Sequence, residues 1–134
     1  MSRVSQVAGL LNEVVAAAFP TVSRVPTAAG LTTGTIAEAG KLQFVLVTSG
    51  GANDIIILPP PVVGTVVILH NGATGYELRS NSPTTVAING GSGADAESAI
   101  PGDSTCIMIC VTTTAWKGFY MDSDGDLAKV EAAA

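Results

Sequence analysis

The hydrophobic pattern of the chain changes period once, near residue 36. Ahead of that point Val4, Val7, Leu11, Val14, Val15 and Ala18 recur at helical spacing, which predicts an amphipathic helix over residues 3–18. Ser2 is placed to cap its start, and Pro20 stops it just after Phe19. Its polar face is thin, made of Ser5, Gln6, Asn12 and Glu13, so more than half of its surface wants a cover. Residues 20–35, PTVSRVPTAAGLTTGT, keep neither a helical nor a strand period and read as an extended connector.

From residue 36 every signal is β. Apolar runs at 41–49, 55–58, 65–69, 76–80, 84–89, 105–112 and 115–121 are separated by turn residues at GGAND, PPP, NGATG, NSP and the glycine-rich loop 90–98. Prolines 59–61 lack the amide that a strand needs, so they close the run at 55–58. In YELRS, Tyr76, Leu78 and Ser80 share one face and Glu77 and Arg79 the other. Strands every eight to twelve residues predict a mainly β body, an antiparallel β-sandwich or barrel-like fold behind an N-terminal helix and extended arm. The chain then divides into a helix and arm (1–35), a β body (36–121) and an acidic C-terminal tail (122–134), the tail read as short helix or disorder.

Two runs do not alternate. In TVVIL (65–69) and TCIMICVT (105–112) both faces of the strand are apolar. A strand wetted on one side should alternate, so these need a cover on each face. The domain core covers one. The other, carrying Val66, Ile68, Ile107, Ile109 and Val111, needs either the N-terminal helix or a neighbouring subunit, and the small number of charges favours a subunit interface.

Composition strengthens that expectation. Hydrophobic residues make up 47% of the 134 residues and charged residues only 13%, about half the share usual in a domain. Little polar surface is left to clothe a monomer. The net charge of −5 is uneven: residues 1–30 carry +1 and residues 31–134 carry −6. No basic patch with interleaved aromatics exists, so no nucleic-acid partner is expected. No run approaches a membrane span, and no membrane partner is expected. The opening MSRVSQVAGLLNEVVAAAF has a faint signal-peptide look, but Asn12 and Glu13 interrupt its apolar region.

Candidate chemistry is sparse. Cys106 and Cys110 would lie ~13 Å apart on one strand, too far to bridge, and read as buried free thiols. MDSDGD (121–126) suggests a calcium loop. Counted from Asp122, however, the glycine falls at the fourth position instead of the sixth, and Ala133 stands where the last ligand should be. The single histidine, His70, reads as a turn residue. Asp95, Glu97 and Asp103 cluster in sequence but lack aromatics to hold a sugar. Trp116, Phe119 and Tyr120 read as core. No nucleophile elbow and no nucleotide-binding glycine pattern is present. The expectation is no enzyme, no catalytic residues, no cofactor and no metal.

The order of the turn motifs carries a resemblance. Leu58, Pro59, Gly64, Asn71, Gly72, Ile88, Asn89, Gly90, Gly91, Pro101, Gly102 and Trp116 form an ordered series over about residues 42–121. It resembles the β-modules of structural proteins from tailed bacteriophages, found in head decoration (cement) proteins and in fibre proteins. The resemblance implies a non-enzymatic, often trimeric module. A single module with a leading helix and arm favours the decoration role. The partners would be the chain itself, as a homotrimer, and the major capsid protein, on the outer capsid surface of the virion. The arm residues expected to bind the capsid are Val4, Val7, Leu11, Val14, Val15, Phe19 and Arg24. The alternative is a head- or tail-fibre module that binds a host receptor.

Overall fold

The computed structural model describes residues 6–8, 21–26, 34–36, 39–93 and 97–131. It is mainly β. Ten strands follow in order: β1 Thr21–Arg24, β2 Leu42–Val47, β3 Ile55–Ile57, β4 Val66–Asn71, β5 Tyr76–Arg79, β6 Ala87–Ile88, β7 Glu97–Ile100, β8 Thr105–Thr112, β9 Ala115–Met121 and β10 Leu127–Lys129. The larger sheet runs β1-β2-β4-β8-β9-β10, with β6 also on β9, and the smaller runs β3-β5-β7. Residues 6–8 are helical, in keeping with the predicted N-terminal helix; the rest of 3–18 lies outside the described residues.

The sheets are mixed, where the sequence pattern predicted antiparallel ones. β1, β2 and β4 run parallel, as do β3 and β5. The cause is the path of the chain. It crosses from one layer to the other after every strand from β1 to β5, so each strand meets its predecessor in the same layer after one full circuit. Residues 34–36 take part as well: the Ile57 amide donates to Gly34 O at 3.0 Å and the Ile36 amide to Ile57 O at 2.9 Å. Register partners such as Thr21 and Phe44, or Leu42 and Val66, are therefore roughly two dozen residues apart. Antiparallel β7 and β8 then close the two ladders against β5 and β4, and β9 and β10 extend the larger sheet as a meander.

One core lies between the layers. Val45, Val47, Val67, Leu69, Cys106, Met108, Cys110 and Trp116 come from the larger sheet; Ile56, Leu58, Tyr76, Leu78 and Ile100 come from the smaller sheet and its flank. Val130, just after β10, joins the same cluster, so the C-terminal stretch is pinned to the body as a strand instead of forming the predicted helix or disorder. β7 falls where a loop was expected. In the 84–89 run only Ala87 and Ile88 are strand, because the amides of Thr85 and Val86 turn back onto Ser82 O. The connector is not wholly free either: Thr21–Arg24 is already a strand of the sheet.

The corners are held by side-chain amides and by close backbone approach. Asn71, buried at the end of β4, donates through Nδ2 to the carbonyls of Gly72 at 3.2 Å, Thr74 at 3.0 Å and Pro101 at 2.9 Å. Asn89, at φ 48°, donates to Gly118 O at 2.9 Å and Val130 O at 2.8 Å while accepting from the Gly118 amide at 3.0 Å. Gly102 packs so closely on the Ala73 carbonyl that no Cβ fits.

Both cysteines are buried and free, as their spacing implied. Burial pushes the Cys106 thiol up to about 12. A thiol held neutral in the fold stabilises it fully below the unfolded value of 9.0, and that stability is lost as pH rises from there towards about 12. The unfolding free energy from urea melts should therefore fall from pH 8 to 10.5, by up to about 1.4 kcal/mol per pH unit from this thiol. Cys106→Val should flatten the fall. Separately, Asn71→Ala strips a partner from each of those three carbonyls and should cost about 2 to 3 kcal/mol in the same melts.

An apolar sheet face as the candidate functional surface

The two layers differ in what they show to solvent. On the smaller sheet β5 alternates, with Tyr76 and Leu78 inward and Glu77 and Arg79 outward. Arg79 is ion-paired with Glu97, its register partner on β7. Along β3, however, the residues in register with Glu77 and Arg79 are Ile55, which is buried, and Ile57, which is half-buried, so this face is polar on β5 and β7 and apolar on β3. On the larger sheet the strands also alternate in burial, but their outward positions are apolar.

Register lines these positions up across strands. One row runs Phe44, Ile68, Ile107, Phe119 over β2, β4, β8 and β9. A second runs Leu46, His70, Thr105, Met121, Leu127 and reaches β10. A third runs Leu42, Val66, Ile109, Lys117. Leu46, Ile109, Phe119 and Met121 are each 40–42% exposed, and Leu127 is 70% exposed. Val111 stands at the bulge between Cys110 and Thr112, also exposed. At ~4.8 Å between strands and ~3.4 Å per residue, the face measures roughly 20 Å by 24 Å. A patch of this size matches the largest on a typical monomer, which is often a functional one, and makes this face the candidate surface.

The structure thus brings together the residues expected at an interface. Val66 faces Ile109 and Ile68 faces Ile107 in register, and all four turn away from the core. They are half-buried to exposed in the single chain. Phe119 is a correction: it was expected in the core, yet strand alternation turns it outward, while Trp116 is fully buried and Tyr120 packs on the core's edge. His70 is another. It lies within β4, not in a turn, and projects onto this face with Nδ1 2.9 Å from Thr105 Oγ1. Leu42, Phe44 and Leu46 were missed, although LQFVLV shows the same failure to alternate.

The arm residues fare differently. Val4, Leu11, Val14, Val15 and Phe19 lie outside the described residues. Val7 is 65% exposed. Arg24 belongs to β1, paired with Val47 in the sheet, so it is part of the body and not of a free arm.

No acid–base pair assembles at the carboxylates the sequence singled out. Glu97 is held by Arg79, Asp103 sits at φ 53° in the turn beyond the far end of β7, and Asp95 lies outside the described residues. Asp122 Oδ1 accepts the amides of Asp124 and Asp126, each at 2.9 Å, and so caps its own turn. Two shallow clefts flank the sheet: one of about 400 Å³ beside Asn89 and Lys129, the other of about 250 Å³ between Ser49 and Thr74. Among the described residues no helix is long and apolar enough to cross a membrane.

The inward and outward sets should separate in melts. Met108→Ala opens the core and should cost about 2 to 5 kcal/mol. Ile109→Glu, one residue away but outward and opposite Lys117, should change stability by less than about 1 kcal/mol. Comparison with protein-family models, with curated proteins and with solved structures gave no match for this chain.

Proposed function

We propose that the protein is a structural protein of a tailed bacteriophage, a decoration (cement) protein that sits on the outside of the capsid and ties major capsid protein subunits together. The observation that carries this reading is the partly exposed apolar face of the larger sheet, set against the charged residues Glu77, Arg79 and Glu97 on the outer side of the smaller one. Turned onto neighbouring copies, the face buries roughly 500 Å² of each chain. In the homotrimer that the turn series implies, three copies turn these faces towards a shared axis. The residues of that series support the body: Leu58, Pro59 and Trp116 are buried, and Asn71, Asn89 and Gly102 build the corners. They therefore speak for the kind of scaffold and leave the role to the surfaces.

The work of such a protein is adhesive. With the sheet face given to neighbouring copies, the apolar segment 1–20 is left for the capsid. It precedes β1, an edge strand of the larger sheet. Burial of apolar area, at about 25 cal/mol per Å², and engagement of several arms at once supply the binding.

Copy number per virion, with the native mass of the free protein, tests the reading. About one copy per major capsid protein and a trimeric mass are expected. A few dozen copies per particle would turn the reading to a head or tail fibre that binds a host receptor. Absence from particles would refute both. Deleting residues 2–20, which spares β1, should leave a folded oligomer that no longer decorates capsids; undiminished decoration would remove the arm from the account.

A further inference from the structure

Both corner asparagines are followed by glycine, as Asn71–Gly72 and Asn89–Gly90. An asparagine in that setting readily loses its side-chain amide when the chain is free to move. Glycine has no Cβ to shield its nitrogen, so that nitrogen, once it gives up its proton, can attack the asparagine Cγ. A bond forms between them and negative charge gathers on Oδ1. The Cγ–Nδ2 bond then breaks, Nδ2 takes a proton from water and leaves as ammonia, and a cyclic imide remains. Water opens the imide at either carbonyl to give aspartate or isoaspartate. The balance is one water in and one ammonia out.

The fold opposes these steps. Asn71 is buried, and Nδ2, the leaving group, is tied to the carbonyls of Gly72, Thr74 and Pro101. Its Oδ1, where the charge would gather, is buried and finds no hydrogen-bond donor among the described residues. An oxyanion without a donor or water is costly. Asn89 is held at both ends of its amide: Nδ2 by the carbonyls of Gly118 and Val130, Oδ1 by the Gly118 amide. Its turn is closed by paired hydrogen bonds between Ile88 and Gly91. Turning either side chain onto the next nitrogen breaks all three of its bonds, and in the unfolded chain none of them exists.

The products do not fit the corners. A carboxylate at position 71 has no proton to give and would face three carbonyl oxygens. Isoaspartate also adds a methylene to the backbone where β4 leaves the sheet.

We propose that Asn71 and Asn89 are deamidation sites that the folded protein keeps closed, so that a chain left unfolded is altered at its own corners and loses the ability to refold. Folding, once missed for long enough, is then missed for good.

The test holds the full chain at pH 8 in concentrated guanidinium chloride or in buffer alone. Peptide mass mapping follows the exchange of amide for acid at positions 71 and 89, and circular dichroism after dilution reads the fraction that refolds. Exchange at both positions should run at least about tenfold faster in denaturant, because a folded chain reacts only through its rare openings. The refolding fraction should fall in step. Gly72→Ala is a control that the fold accepts, since a Cβ there meets nothing within 4 Å. In denaturant it should slow exchange at 71 and leave 89 unchanged. Asn71→Asp, made directly, should unfold at a lower denaturant concentration than the unaltered chain. Equal exchange in denaturant and buffer overturns the protection. Exchange at 71 indifferent to Gly72→Ala overturns the attack by the Gly72 nitrogen. Altered chains that refold as fully as unaltered ones, or an Asn71→Asp midpoint that does not move, overturn the loss of refolding.

Discussion

The inner face of the larger sheet has to be covered by a second layer of the same chain, and the rest of the structure follows from how that is done. Trp116, Met108, Leu69 and Val45 form a broad apolar surface; Tyr76, Leu78, Ile56 and Ile100 lie over it. The covering sheet is only three strands wide and is built from short pieces. The chain delivers those pieces by passing from layer to layer between longer strands. Parallel pairing in both layers is a consequence of that winding.

Winding of this kind puts the cost at the corners, where backbone groups leave their ladders and still have to be satisfied. Asn71 and Asn89 serve as substitutes for missing ladder partners, each bonding backbone groups from distant parts of the sequence. Asn89 bonds both the carbonyl and the amide of Gly118 and also holds Val130 O, so one side chain fastens β9 and the end of the chain together. Both asparagines belong to the turn series on which the proposed function draws. Their roles are structural, which explains how such a series can mark a scaffold without marking an activity.

Among the described residues, the outward face of the larger sheet keeps apolar side chains partly exposed. Its rows cross four or five strands, so no single segment of the chain makes the surface. In the proposed reading, interface contacts on this face and capsid attachment through the N-terminal segment fall to different parts of the chain. The net negative charge of the body does not extend to this face, whose charged groups are lysines. The face therefore differs from the rest of the molecule in electrostatics as well as in polarity.

Strand positions were legible because alternation and turn chemistry are local. The inward set of β8, the turn glycines, the free cysteines and the placing of Ser80 beside Leu78 all follow from period and residue type. The doubly apolar runs also announced a second apolar face. Pairing direction was not legible, because a period of two is the same for a parallel and an antiparallel neighbour; only the circuit through the other layer decides it. β7 and β10 were missed because short edge strands with polar or exposed residues look like loops until a partner strand is present. Phe119 and His70 were misplaced because their direction is set by register against β8, not by their own chemistry. The sequence by itself determined that the protein is β-rich, apolar beyond the needs of one core, and without an evident catalytic motif. Only the tertiary structure decided which apolar residues share a face, because that depends on strand order and register, which are properties of the whole sheet.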